Sequence, residues 1–338
     1  MPENETIRVT VNVDFSDEIM EKLDEVSDDL LIEQYFPDVP SEVMADTEIL
    51  YTVDKFPDPT QTPKLRWVQL HYAGFDHVFD EPIAQAEDVE ITSASGIHTV
   101  QMSEYCLAMM LAFHYQIPLM IQNKNKAEWP KGKFDIFNPY GLRGLTLGII
   151  GYGSVGRELA RIADAMGMIV LATKRNLKEP AESDEYLIPN TGDPEGDIPE
   201  RLYPSEALKS MVQECDYVVA TIPLTEQTRY LINSDVFDAM KKTAYFINVA
   251  RGAVVDEEAL ISALASEEIA GAALDVFETE PLPPSSPLWN LDNVIISPHV
   301  SGNTIRYHEL AVELFIENLR RYVSNQPLLN RLDRERGY

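Results

Sequence analysis

The chain has 338 residues, 45% of them hydrophobic and 25% charged, and its 27 basic against 56 acidic side chains leave a formal charge of −29. That composition excludes a mainly disordered chain, and the length favours two domains of ordinary size. A surface so acidic repels phosphate, which argues against nucleic acid or an anionic membrane as partner.

Cys106 and Cys215 are the only cysteines. Far apart and with no histidine cluster beside them, they form neither a disulfide framework nor a zinc site. No metal is expected, and a reducing, cytoplasmic compartment fits. The acidic start runs straight into an apolar segment, without the basic head of a signal peptide. The most membrane-like stretch, residues 106–121, contains His114 and Gln116 and is too short to span, so it reads as a buried helix. The excess acid has two readings, a solvated surface that keeps the protein soluble and an adaptation to high salt, where self-repulsion is screened.

In chain order, the pattern predicts a strand at 7–13, a helix at 16–26, and strands at 49–52, 65–70 and 89–92, with Pro and Asp marking loops. A long helix follows at 99–113, with Met102, Tyr105, Cys106, Met109, Met110 and Phe113 spaced by threes and fours. Residues 122–138 read as a polar, lysine-bearing linker.

Residues 145–150 form an apolar strand of the kind buried on both faces of a parallel sheet. It runs into Gly151-Tyr-Gly-Ser-Val-Gly156, a helix closed by Gly167, and a second strand at 168–173. This context turns a weak glycine motif into a strong one. Further strands are predicted at 217–221, 245–249, 272–276 and 294–296, separated by helices at 204–212, 234–241 and 257–266. The result is a doubly wound α/β domain. Between 176 and 206 lies a polar insertion carrying Glu179, Glu182, Asp184, Glu185, Asp193, Glu195, Asp197, Glu200 and Glu206 against Lys178 and Arg201; it reads as a solvent-facing loop. An amphipathic helix at 305–322 is placed back on the first domain, which makes that domain discontinuous.

Gly151, Gly153 and Gly156 provide the tight turn, room for a pyrophosphate and close helix–sheet contact. The phosphates then sit at the helix N-terminus, with Ser154 and Val155 counted in the cofactor loop. Where NAD-preferring domains carry an acid for the ribose 2′-hydroxyl, this chain reads Thr173-Lys174-Arg175-Asn176. Lys174 and Arg175 suit a 2′-phosphate, which favours NADP(H) and leaves NAD(H) as a second possibility. Arg251 follows an apolar strand and is able to clamp a carboxylate. Glu280 and His299 form a potential carboxylate–imidazole pair for proton transfer to a carbonyl. Each has a plain structural alternative: a ligand-free glycine turn, an exposed basic pair, a turn arginine in a salt bridge, a solvated acid, a packing histidine.

Four segments in order, Gly148-Ile-Ile-Gly-Tyr-Gly-Ser-Val-Gly-Arg-Glu-Leu-Ala160, Asn248-Val-Ala-Arg-Gly-Ala-Val-Val-Asp256, Ala273-Leu-Asp-Val-Phe-Glu-Thr-Glu-Pro281 and Ser297-Pro-His-Val-Ser-Gly302, resemble the D-isomer-specific 2-hydroxyacid dehydrogenase family. The resemblance covers nearly the full length. It implies two Rossmann-like lobes around a cleft, with the cofactor lobe (98–296) inserted in the substrate lobe (1–97 plus 297–338), and a homodimer formed through the cofactor lobe. It also implies His299 as acid–base catalyst, Glu280 as its partner and Arg251 as anchor of the substrate carboxylate. Asp275 would contact the nicotinamide carboxamide, and Ala73 and Gly74, in His71-Tyr-Ala-Gly-Phe-Asp76, would receive the carboxylate through their N–H groups. Lys174-Arg175 is the departure from NAD-preferring members. The expected reaction is hydride transfer between NADP(H) and a 2-oxo acid/D-2-hydroxy acid pair. A same-fold oxidoreductase acting on another small acid, such as phosphoglycerate or phosphite, and a dinucleotide-sensing interaction module stand as alternatives.

Overall fold

The computed structural model describes residues 6–177, 185–334 and Gly337. The chain divides into two compact units: one holds the described residues of 6–97, 185–188 and 304–337, the other 98–177 and 189–303. The last passage between units therefore falls after Asn303, beyond the expected boundary at Ser297, and His299 belongs to the second unit. Residues 178–184 of the acidic insertion, including Glu179, Glu182 and Asp184, lie outside the described residues.

The first unit is built on β1 (Ile7–Asn12), α1 (Asp17–Asp24), β2 (Leu30–Gln34), α2 (Ser41–Asp46), β3 (Ile49–Thr52), β4 (Trp67–Leu70) and β5 (Glu90–Thr92). The five strands are parallel in the order β2-β1-β3-β4-β5, an arrangement whose ligand edge lies at the strand C-termini. Successive residues of a strand face opposite sides of the sheet. Ile49 and Tyr51 thus join a core with Val9, Val11 and Trp67, whereas Leu50 joins Val68, Leu70 and Ile91 on the other face. β2 was not foreseen: its apolar run is only Leu30-Leu31-Ile32, and as an edge strand it buries Ile32 while leaving Leu31 exposed.

The second unit opens with α3 (Thr99–His114), α4 (Ile117–Lys126) and α5 (Lys133–Ile136). The last part of α4 and the whole of α5 fall where the linker was expected. The supposed single buried helix through 121 is also broken, because Gln116 takes a left-handed conformation (φ 55°) and α4 has no buried residue. Pro118 near the start of α4 is the missed initiation signal. The doubly wound part follows with β6 (Thr146–Ile150), α6 (Ser154–Ala165), β7 (Ile169–Thr173), β8 (Arg201–Tyr203), α7 (Leu208–Val212), β9 (Tyr217–Ala220), α8 (Ser234–Ala239), β10 (Tyr245–Asn248), α9 (Glu257–Ala265), β11 (Gly271–Leu274) and β12 (Val294–Ile296). All seven strands are parallel, in the order β12-β11-β10-β9-β6-β7-β8. The order reverses between β6 and β9, which opens a crevice at their C-terminal ends. Val218 packs with Met211, Phe237 and Phe246 on one face, and Val219 with Leu147, Ile149 and Leu159 on the other.

The insertion is not a plain solvent loop. It supplies β8, and it buries Asp193 and Tyr203. Its residue Tyr186 packs in the first unit against the cluster of Ala94, Ile97, Leu310 and Leu329 and donates its N–H to Asn330 Oδ1 at 2.9 Å. The closing helix, α10 (Tyr307–Val323), lays Val312, Phe315 and Leu319 on the core of the first unit. Among the described residues no helix is long and apolar enough to cross a membrane.

Candidate active site

β6 ends at Ile150 and the chain must turn at once into α6. Gly151 does so at φ +98°, and a Cβ there would meet Ile222 Cγ2 at 2.5 Å; at Gly156 it would meet the Gly151 carbonyl oxygen at 2.4 Å. Both are close approaches only glycine permits. The turn is fastened by Gly151 N–H donating to Thr173 Oγ1 (3.1 Å) and by Thr221 Oγ1 donating to the Gly151 carbonyl (2.7 Å). At Gly153 the same added atom would find open space, and Gly153, as the N-cap of the helix that follows, has no side chain with which to cap it. Space beside free amides at the positive end of a twelve-residue helix suits the pyrophosphate of a dinucleotide. Ser154 and Val155 form the first turn of that helix, and Lys174 and Arg175 leave the adjacent strand at the same edge, because Ile150 and Thr173 are in register. The Lys174 N–H is held by the Tyr203 carbonyl at 2.9 Å, and Arg175 is exposed.

The ends of β10, β11 and β12 bring three further groups to this edge. Arg251 lies three residues beyond β10. Its main chain is set by Asn248, whose side-chain amide donates to the Arg251 carbonyl (3.1 Å) while its oxygen accepts from Ala250 N–H (3.0 Å). After β11, Glu280 turns back so that Oε1 accepts from Phe277 N–H at 3.0 Å and Oε2 lies 2.8 Å from His299 Nδ1. A carboxylate only accepts, so Nδ1 carries the hydrogen and Nε2 is left for proton exchange. His299 and Glu280 are both exposed, as a proton-transfer pair requires.

His299 has φ +54°, a backbone state that a non-glycine residue keeps only when its surroundings impose it. Asp275 does so. Its carbonyl accepts the His299 N–H (2.8 Å), and its carboxylate accepts from Val300 N–H (2.9 Å), Ser301 N–H (2.8 Å) and Ser297 Oγ (2.5 Å). The resemblance implies that Asp275 contacts a carboxamide, yet the residue is fully buried and its carboxylate serves the His299 loop. Ser297 Oγ also lies 2.6 Å from the Tyr105 hydroxyl on α3. Because the Ser297 hydrogen goes to the carboxylate, Tyr105 is the donor in this bond. Burial pushes the Tyr105 phenol up to about 12, so it stays un-ionised near neutrality. At the other end of the loop, His98 Nδ1 is 3.1 Å from the Gly302 carbonyl. Tyr105, Ser297 and His98 were missed from the sequence. The available signal was a tyrosine, with a polar tip needing a partner, in the apolar stripe of α3.

In the first unit, Ala73 and Gly74 follow β4 at the C-terminal edge of its sheet. His71 anchors their loop: its Nδ1 is 2.7 Å from the buried Tyr51 hydroxyl, and its carbonyl accepts from Tyr307 at 3.1 Å. Among the described residues neither Ala73 nor Gly74 N–H has a hydrogen-bond partner, which leaves both able to receive an anion.

The family model for the D-isomer-specific 2-hydroxyacid dehydrogenase NAD-binding domain matches residues 107–301. The chain is similar to a glyoxylate reductase of Thermofilum pendens, 36% identical over 262 residues that make up 76% of this chain and 71% of that protein. A glyoxylate reductase of Pyrococcus furiosus is 34% identical over 76% of this chain and 72% of its own length. Among solved structures, a D-isomer-specific 2-hydroxyacid dehydrogenase from Xanthobacter autotrophicus Py2 in complex with NADPH and MES aligns over 99% of this chain and 100% of its own at 29% identity, TM-score 0.80. An NADPH-dependent glyoxylate/hydroxypyruvate reductase from Sinorhizobium meliloti in complex with NADP and sulfate aligns over 98% and 100% at 26% identity, TM-score 0.77.

Proposed function

Since the chain belongs to the D-isomer-specific 2-hydroxyacid dehydrogenase family, an oxidoreductase family of 2-oxo and 2-hydroxy acids, we propose that it reduces small 2-oxo acids of glyoxylate or hydroxypyruvate size, with NADPH preferred over NADH. The observation that carries the chemistry is the 2.8 Å contact between Glu280 and His299 Nδ1, which leaves Nε2 as the proton-exchanging atom. Hydride for C2 of the acid comes from the dinucleotide when it is bound. Protonated His299 gives its Nε2 proton to the carbonyl oxygen as that hydride arrives, and Glu280 stabilises the charged ring. In oxidation neutral His299 takes the hydroxyl proton. Arg251 pairs with the acid's carboxylate and attracts the charge developing on the oxygen.

The second unit is the proposed dinucleotide-binding domain, with Gly151, Gly153, Ser154, Val155 and Gly156 around the pyrophosphate and Lys174 and Arg175 at the 2′-phosphate. The first is the proposed substrate domain, with the Ala73 and Gly74 amides as carboxylate receivers. The preference for NADPH rests on two bases following β7 where a carboxylate would repel a phosphate. A homodimer through the second unit is supported by the aromatic surface of residues 115–140, where Trp129 is 82% and Phe134 79% exposed and Tyr140 is fully exposed. Patches of this kind mark association surfaces. A cytoplasmic location agrees with two free, buried cysteines.

The test is initial rates with NADPH and NADH across acids from glyoxylate to phenylpyruvate, for the wild type and His299→Ala. Turnover with the small acids and NADPH, lost in the variant, is expected. Dinucleotide binding without turnover on any acid would replace the enzyme reading with a sensing role.

A further inference from the structure

The acidic insertion reaches back to the glycine loop. Tyr152, second residue of the Gly151–Gly156 turn, is buried and donates its hydroxyl to Asp193 Oδ2 at 2.5 Å. Asp193, itself buried, also accepts from the main-chain N–H groups of Gly196, Asp197 and Ile198 at 3.1–3.3 Å. Arg157, fully buried in the first turn of α6, lies over the Tyr152 ring (4.9 Å) and donates to the Asp193 carbonyl. The next residue, Glu158, accepts the Gly192 N–H at 2.6 Å and holds Arg161 through both carboxylate oxygens (2.6 and 2.8 Å). The turn at 192–198 is therefore sewn to the glycine loop and to α6 by charged and hydrogen-bonded groups away from water.

From this geometry we infer that the insertion is a brace for the pyrophosphate loop, and that Asp193 is a positioning residue for dinucleotide binding, acting through Tyr152 and Arg157. The inference rests on the dinucleotide reading given above. Solubility alone does not require a buried carboxylate with four donors, and a solvated loop would leave Asp193 in water. Burial works to raise the Asp193 carboxyl, but the Tyr152 hydroxyl, the Ile198 and Asp197 amides and the Arg157 charge outweigh it and hold it below its usual value. The brace is therefore charged at any physiological pH. Its physical effect is on population. A loop held in the binding conformation binds with its full affinity; a loop in that state a tenth of the time binds about tenfold more weakly.

The test compares wild type, Asp193→Ala and Tyr152→Phe by titrating protein against NADPH dinucleotide fluorescence, with melting curves and steady-state kinetics alongside. Tyr152→Phe removes one oxygen and keeps the ring under Arg157, so it serves if Asp193→Ala does not fold. The expected result is a Kd for NADPH raised roughly tenfold in Asp193→Ala and about threefold in Tyr152→Phe, the rise falling on the dinucleotide constants rather than on KM for the acid. A folded variant with a lowered Tm and an unchanged Kd would show a purely structural network and overturn the inference. A wild type that binds neither NADPH nor NADH would overturn the dinucleotide reading itself, and the brace with it.

Discussion

Tyr105→Phe is the sharpest probe of how His299 is held. The Tyr105 hydroxyl donates to Ser297 Oγ at 2.6 Å, and Ser297 donates onward to the buried Asp275 carboxylate at 2.5 Å. Removing the phenol oxygen deletes one neutral hydrogen bond, of about 0.5–1.5 kcal/mol net, and leaves all three donors to the Asp275 carboxylate, the Ser297 hydroxyl and the Val300 and Ser301 amides, in place. Removing the serine hydroxyl deletes a bond to an ionised, fully buried group, of about 1.5–3 kcal/mol. If that energy holds the His299 loop in its reactive position, kcat should fall roughly 2- to 10-fold in Tyr105→Phe and 10- to 100-fold in Ser297→Ala. Tyr105 acts through Ser297, so the double variant should be no slower than Ser297→Ala alone. The assay is kcat and KM for the acid at saturating dinucleotide, with melting curves to separate positioning from global stability. Strictly additive losses, or a Tyr105→Phe loss equal to that of Ser297→Ala, would refute the relay.

Three further outcomes are expected. Lys174→Ala/Arg175→Ala should lower kcat/KM for NADPH about 30-fold, from roughly 2 kcal/mol of screened ion pairing, with little change for NADH; an unchanged ratio of the two would place the 2′-phosphate elsewhere. Burial lowers the His98 pKa, partly opposed by the Gly302 bond and reinforced by the Arg251 charge. The unfolded chain therefore takes up a proton before the folded one as pH falls below about 6.5, and stability should drop from there at up to ~1.4 kcal/mol per pH unit until the folded pKa is reached. His98→Gln, which keeps an N–H for the Gly302 carbonyl, should flatten the plot of Tm between pH 6.5 and 5, and parallel wild-type and variant plots would refute this. Trp129→Glu with Tyr140→Glu should turn a dimer into a monomer in sedimentation equilibrium; a monomeric wild type would remove the assigned interface.

The legible parts of this molecule are those that local chemistry dictates. The strand before Gly151, the glycine spacing and the helix after it are constrained within the twenty residues 146–165, and β3 and β12 fall on their expected residues. Arg251, Glu280 and His299 were legible because three parallel strands deliver their C-terminal ends to one edge. Groups whose partners are far away in sequence were not. Tyr105 meets Ser297 192 positions on, and an apolar stripe conceals that meeting because the ring packs while only the hydroxyl reports. Asp193 was lost in a run of surface acids, since nothing local distinguishes a carboxylate that will meet a tyrosine 41 positions upstream. The exposed α4 misled in the opposite sense: its apolar residues suggested burial, and they lie instead on the surface, in the stretch proposed to meet a second copy.

The connectivity of the chain gives the loop of His299 a position that the chemistry alone does not demand. α3 starts at Thr99, two residues after the chain leaves the first unit at Ile97, and the loop ends at Asn303, where the chain passes back. His98 holds Gly302 and Tyr105 holds Ser297, so both ends of the loop are fixed to the one helix. Asp275 restrains its middle from β11, at the His299, Val300 and Ser301 amides. A loop fastened at three points can keep its histidine in a left-handed conformation, which an unfastened loop would relax at a gain of about 1–3 kcal/mol. That conformation sets the backbone from which the ring reaches Glu280. The exposed pair proposed to exchange the proton therefore depends on buried groups outside the proposed contacts to the acid, and loosening them should reduce kcat before it alters KM.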